Sequence, residues 1–358
     1  MNMKNIAIIG GGNGAHAAAA DLTLKGFSVN LIEDARFKHH MQTVFDTFQI
    51  HVTGVVDGIA NLKSVTTDLQ KGIEDAEIII VAVPAFAHKD YAYRLAPCLK
   101  EGQTVFIVPG TFGSLIFKKA MEDVGNQANV AFAEAHTLPY ATRIIKPGHV
   151  MIMSRFNPLK VGVLPAKETI RVCHLLSELY DGIQPVESVV ACGLNSLNPV
   201  IHVPGCILNA GRIEKAQGEF YFYTEGFTSC VVRTTEILDQ ERIRLLEAFG
   251  YNSETVNKGV GGPDASDDLH KVISENPSFA SIKGPADVKG RYYSEDIPFG
   301  LATWAKFASH LNIEAPVMDS LVTLGSSILE KDCWSMGPSM EDLGLKDLNI
   351  QQIKAFIE

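Results

Sequence analysis

Cysteine is scarce in this chain and never paired along it: Cys98, Cys173, Cys192, Cys206, Cys230 and Cys333 form no CxxC motif and show no metal-ligand rhythm. That argues against a zinc signature and for reduced thiols in a cytoplasmic protein. No apolar run is long enough to span a bilayer; the longest, residues 78–87, is broken by Pro84 and reads as a buried strand. The start of the chain offers no signal-peptide core either, since Ile6–Ile9 is too short and runs straight into glycines. Positive charge is in deficit, with 31 Lys and Arg against 41 Asp and Glu and a formal net charge of −10. Neither a nucleic acid nor an anionic membrane surface suits that balance, because both are bound through basic patches. Disorder is excluded as well: apolar residues make up 46% and charged residues 20%.

What is present is long and patterned. At 358 residues the chain is expected to form two domains, assigned to 1–175 and 176–358. The first part alternates short apolar runs with helical stretches, the pattern of a mostly parallel, doubly wound α/β sheet. Strands are expected at Asn5–Ile9, Ser28–Glu33, Glu77–Val83, Thr104–Val108 and Asn129–Phe132. His149–Ser154 and Lys160–Leu164 read as further antiparallel strands completing the same sheet. After about Lys167 helical periodicity takes over, and an all-α second domain is expected. In its longest helix Val231, Leu238, Leu245 and Phe249 share one face and Gly250 marks the stop.

The strongest local signal is Gly10-Gly11-Gly12-Asn13-Gly14-Ala15, which fits GxGxxG/A and has the required context. An apolar strand precedes it, a helix opens within it, and a second strand ends in an acid. Gly10 permits the tight turn, Gly12 lets a pyrophosphate approach the backbone, and Ala15 is small enough for helix–strand packing. The first-turn amides and the helix dipole then favour the anion. Glu33 lies 21 residues after Gly12, where an acid binds the adenosine ribose 2′-OH. This favours NAD; Arg36 close by, which could accept a 2′-phosphate, keeps NADP open. Val83-Pro84 ends the aliphatic strand on the ligand-binding edge and is expected to line the cofactor.

A Rossmann domain supplies a hydride carrier and no substrate, so the acid–base group is sought in the helical part. His202 stands out there, bracketed by Pro199 and Pro204 in an apolar stretch; a core histidine is the plain alternative. A second constellation, Arg291-Tyr292-Tyr293-Ser294-Glu295-Asp296, is either a solvated turn or a functional loop. In the functional case Arg291 clamps a carboxylate and Asp296 orients an imidazole. A third stretch, Glu134 to Arg143, follows a strand at the cofactor edge and is a candidate for substrate contacts. Tyr223, with Tyr221 and Phe222, suggests an aromatic wall or simply core. No metal site is expected, since His39 and His40 lack partners at ligand spacing.

At these residues the sequence resembles the opine dehydrogenases over essentially its whole length. The resemblance rests on the Gly10–His16 loop, the Val83-Pro84 strand end, Glu134…Pro139…Arg143, Asn198-x-x-x-His202, Tyr223-Thr-Glu-Gly226 and Arg291-Tyr-x-x-Glu-Asp296. It implies NAD(P)H-dependent condensation of a 2-keto acid such as pyruvate with the amino group of an L-amino acid. His202 would then be the general acid–base, Asp296 would hold its tautomer and Arg291 would grip a substrate carboxylate. Asn198, four residues before His202, would assist. The small-molecule keto acid and amino acid are the only partners implied; a homodimer is left open. Two rivals remain. A ketopantoate-type dehydrogenase commonly uses a lysine acid, yet residues 186–210 contain none and the next is Lys215. A dinucleotide-binding sensor would perform no chemistry at all.

Overall fold

The computed structural model describes residues 4–358, so the first three residues of the expected 1–175 domain lie outside the described residues. The chain divides into two compact units: one runs to Gly193 and takes in Phe356–Glu358, the other covers Leu194–Ala355. The break falls later than residue 175 for a physical reason. The short strand Ile183–Pro185 pairs with Leu159–Leu164, which keeps that segment with the sheet.

The strands, in chain order, are β1 (Asn5–Ile9), β2 (Ser28–Ile32), β3 (Gln49–Gly54), β4 (Gly58–Asn61), β5 (Ser64–Thr66) and β6 (Ile78–Val81). They continue with β7 (Thr104–Ile107), β8 (Ala131–Ala135), β9 (Tyr140–Lys146), β10 (His149–Arg155), β11 (Leu159–Leu164) and β12 (Ile183–Pro185). Eight of them form one sheet in the order β12-β11-β8-β7-β6-β1-β2-β5. Every pair in it is parallel except β11 with β8. β6 and β7 are buried at every position, as strands covered on both faces must be. The chain winds outward from β1 through β2, then returns to β6 on the other side of β1. That reversal opens a crevice at the carboxyl ends of β1 and β6, the place where such sheets take ligands.

β10 does not complete this sheet, contrary to the sequence expectation. It joins a second, four-stranded sheet in the order β4-β3-β10-β9, parallel to β3 and antiparallel to β9. The alternation explains it: Val150 and Ile152 are buried while Met151 and Met153 are exposed, so one face is covered and the other is wet. The covered face lies against the helix Asn13–Leu24, and a buried polar tie fixes it there. Asp21 of that helix accepts hydrogen bonds from Tyr140 Oη at 2.8 Å and Arg155 Nη2 at 2.5 Å.

The second unit is helical. Its spine is Ser229–Phe249, with Val231, Leu238, Leu245 and Phe249 buried and Gly250 stopping it at φ 69°. Arg242 on this helix is fully buried and neutralised by Asp239, with further bonds to the carbonyls of Leu194 and Glu254. Glu241 beside it accepts from the backbone amides of Val317 and Met318 and so caps the helix Pro316–Leu329. Pro204 sits inside the helix Asn198–Leu208. After the short helix Arg291–Ser294 the backbone widens into a π-helical turn at Asp296–Leu301. Such turns bulge a helix and re-aim its side chains.

Candidate active site

In the first unit the glycine loop has the properties a phosphate cradle needs. Gly10 sits at φ +121°, and a Cβ there would lie 2.6 Å from the carbonyl oxygen of Ala82 and 3.3 Å from Val83. The end of β6 is therefore pressed against the turn, with Val83 buried and Pro84 half-buried beyond it. Gly12 is exposed, in extended backbone, and a Cβ there would meet no atom of the protein within 4 Å. That open space lies directly over the start of the helix Asn13–Leu24. A Cβ on Gly14 would collide with Leu138 at 2.7 Å, and Ala15 is wholly buried. Asn13 accepts a bond from the Ile144 amide at 2.8 Å, tying the loop to β9. The donor-rich helix start, free of acidic side chains in its first turn, suits a pyrophosphate.

Two acids follow β2, and they are used differently. Glu33 is buried; its carboxylate lies against Gly11, and burial pushes its pKa up. Asp34 is gripped by the Arg36 guanidinium, Nε to Oδ1 at 2.9 Å and Nη2 to Oδ2 at 3.0 Å. Arg94 reaches the same carboxylate at 2.7 Å. The Arg36 hydrogen bonds, with smaller help from Arg94, hold Asp34 well below the usual carboxylate range. Sequence reading singled out Glu33 and Arg36 but missed Asp34 and Arg94. A second acid in a row was visible; Arg94 comes from another helix and left no signal.

In the second unit His202 and Asp296 meet: Nδ1 lies 2.8 Å from Oδ2. The ring of Tyr292 stacks on the imidazole, centroids 3.7 Å apart and planes 16° from parallel. Tyr292 is a further residue that sequence reading passed over, although it lay within the singled-out segment. Arg291 ion-pairs with Glu295 one turn on, and it does so through Nε. Asn198 is half-buried at the start of the His202 helix, one turn before the histidine. The arrangement can deliver and recover a proton at one ring nitrogen while a guanidinium nearby receives an anion.

Of the other expected contacts, Tyr223 adjoins this group through Tyr292, whereas Glu134 and Arg143 belong to the first unit. Glu134 is enclosed in β8, where Oε2 accepts from the Ser114 hydroxyl at 2.8 Å and backbone amide at 3.2 Å. Burial raises its pKa to about 7. Arg143 is exposed on β9 of the second sheet, so these two ends of one sequence segment fall on different sheets. Tyr223 is buried and stacked on Phe279 at 4.1 Å, part of an aromatic cluster with Phe222 and Phe227. Arg36, read from sequence as free for a phosphate, is engaged by Asp34. Among the described residues no cluster of three or more metal-ligating side chains occurs, and no helix is long and apolar enough to cross a membrane.

Residues 185–329 match the family described as NAD/NADP octopine/nopaline dehydrogenase, alpha-helical domain. Residues 5–107 match the family described as NADP oxidoreductase coenzyme F420-dependent. Over 363 residues the chain is 30% identical to the opine dehydrogenase of Arthrobacter sp. (strain 1C), with 99% of each chain covered. It is 26% identical to the protein ocs of Agrobacterium tumefaciens (strain Ach5), with 98% of each covered. An octopine dehydrogenase solved with NADH and L-arginine shares the fold at a TM-score of 0.80, 18% identity and 98% coverage of both chains.

Proposed function

The chain belongs to the opine dehydrogenase family, and on that premise we propose that it joins a 2-keto acid to the amino group of an L-amino acid and reduces the resulting imine. The observation that carries this reading is the His202–Asp296 pair at 2.8 Å in the helical unit. A glycine loop alone supports any dinucleotide enzyme; an oriented imidazole beside a guanidinium supports chemistry on a carboxylate-bearing carbonyl.

The dinucleotide, when bound, supplies the hydride. Gly10, Gly12, Asn13, Gly14 and Ala15 would hold its pyrophosphate at the helix start, Glu33 would accept from the adenosine ribose, and Val83 and Pro84 would line the crevice. A carboxylate can only accept a hydrogen bond, so Asp296 keeps the proton of the neutral ring on Nδ1 and leaves Nε2 to face substrate. Nε2 of His202 then takes a proton from the amino acid's ammonium, freeing the amine to attack the keto carbon. The imidazolium returns that proton to the carbinolamine hydroxyl as it leaves as water; the reverse direction runs the same transfers backwards. The ring serves both roles because Nε2 accepts a proton in the neutral form and donates it in the protonated one. Glu295 engages Arg291 through Nε, so its terminal amino groups can take a substrate carboxylate in bidentate fashion. Asn198 adds an amide on the same helical face as His202.

The test is amine dependence. Reduced dinucleotide is mixed with pyruvate and a panel of L-amino acids, with pyruvate alone and each amino acid alone as controls. Loss of reduced-nicotinamide absorbance only when both substrates are present, and its collapse in His202→Ala, is the expected result. Turnover with the keto acid alone would make the protein a simple keto-acid reductase and end this reading.

A further inference from the structure

The two acids after β2 differ in what they touch, and the difference bears on which dinucleotide fits. Glu33 lies over the glycine loop: a Cβ added to Gly11 would come within 2.1 Å of its Oε2. That is where the fold places an acceptor for the ribose hydroxyls. Asp34, whose backbone amide donates to Glu33 at 2.6 Å, turns its own carboxylate to two guanidiniums. It takes Arg36 in a two-point grip and Arg94 at 2.7 Å. Asp90, one turn before Arg94 on the same helix, reaches Arg94 at 3.1 Å and Arg36 at 3.6 Å. The Arg94 guanidinium also lies 5.1 Å from the centre of the Tyr91 ring. Two cations are thus shared among the carboxylates of Asp34 and Asp90, and Glu33 adds a third acid beside them.

We propose that Asp34 confines this protein to NADH by sequestering Arg36 and Arg94, the two guanidiniums that a ribose 2′-phosphate would otherwise bind. The inference rests on the reading that the Gly10–Ala15 loop binds a nicotinamide dinucleotide. A 2′-phosphate needs unpaired fork-shaped donors. Here the donors exist, but the Asp34 carboxylate already fills the Nε/Nη2 fork of Arg36 and occupies Nη1 of Arg94. An incoming phosphate would have to break three hydrogen bonds and face three acids. Removing the one charge at Asp34 releases its hold on both arginines at once and leaves them only the exposed Asp90, which no change at Glu33 would do. Asp34 also accepts from the Arg36 backbone amide at 2.9 Å and caps the 3-10 helix Ala35–Met41. The replacement must therefore keep a capping oxygen while losing the charge.

Asp34→Asn and Asp34→Ser both do so. NADH and NADPH are titrated by calorimetry against the wild type, both variants, and Asp34→Asn combined with Arg36→Ala or Arg94→Met, so no turnover is needed. The wild type is expected to bind NADH at least about thirtyfold more tightly than NADPH, roughly 2 kcal/mol. In Asp34→Asn and Asp34→Ser that ratio should fall by about tenfold or more, chiefly through tighter NADPH binding, and each added arginine loss should restore part of it. Equal affinities in the wild type overturn the proposal. So does an unchanged ratio in both variants with NADH still bound, which would leave discrimination to Glu33. If neither dinucleotide binds the wild type, the reading of the glycine loop itself falls, and this proposal with it.

Discussion

His202 Nδ1 and Asp296 Oδ2 stand 2.8 Å apart although 94 residues separate them in the chain. The π-helical turn that begins at Asp296 brings the carboxylate to the ring, and Tyr292, stacked at 3.7 Å, holds the ring's plane. The pair fixes which nitrogen carries the proton. Asp296→Asn keeps the shape but lets the ring adopt the other tautomer. Steady-state rates with keto acid and amino acid together should fall about a hundredfold or more, while NADH affinity measured by fluorescence titration holds. A rate within a fewfold of wild type would remove Asp296 from the mechanism.

Gly10 and Gly12 separate folding from binding. Gly10→Ala forces a side chain into φ +121° and against the Ala82 carbonyl at 2.6 Å, so it should cost about 1–3 kcal/mol or more in thermal or urea unfolding. A Cβ on Gly12 meets nothing within 4 Å in a backbone conformation that any residue adopts. Gly12→Val should therefore leave the melting temperature close to wild type and weaken NADH binding by about tenfold or more, near 1.4 kcal/mol. Unchanged NADH affinity in Gly12→Val would show that nothing approaches the loop there.

Glu134 makes stability depend on pH in an unusual direction. Burial lifts its pKa to about 7 from the ordinary 4.5, against the pull of the Ser114 hydrogen bonds, so the folded state favours the protonated acid. The stabilisation is complete below the unfolded value and is lost as pH rises through 7, up to about 3 kcal/mol. Glu134→Gln carries the neutral form at every pH. Its melting temperature should match wild type near pH 5 and exceed it by several degrees above pH 8 (the two limits are general estimates, about 2–4 °C per kcal/mol). Parallel melting curves across that range would place the titration elsewhere.

Arg242 tests the helical unit. It has no exposed side-chain surface and pairs with Asp239 at 2.7 Å, while Asp239 also accepts from the Val256 amide. Arg242→Ala leaves that carboxylate buried and uncompensated and strands the carbonyls of Leu194 and Glu254. A loss of about 3–5 kcal/mol is expected from denaturant unfolding of the full chain. A loss below about 1 kcal/mol would mean that water replaces the guanidinium at little cost.

The dinucleotide half was largely legible because its signals are local. β1, the Gly10–Ala15 loop, its helix and β2 lie within about thirty consecutive residues, and each is marked by its own periodicity or glycine. The second sheet was not legible. β3 and β4 come from residues 49–61, β9 and β10 from 140–155, and each strand is short, half-exposed and meaningless without its partner. The same limit misplaced β10, whose apolar residues fit either sheet until Val150 and Ile152 are seen beneath the Asn13–Leu24 helix. It also hid the tie from Asp21 to Tyr140, 119 residues away.

By itself the sequence determined the class of cofactor, the order of an α/β and then a helical unit, and the residue types able to move a proton. These follow from spacing along the backbone, which sets turn, helix and strand directly. Only the tertiary structure decided which charges meet: Asp296 with His202, Glu295 with Arg291, and Asp34 with an Arg94 lying 60 residues further on. An ion pair depends on a few ångströms between side-chain ends. Segments far apart in the chain come that close only after their helices and strands have packed.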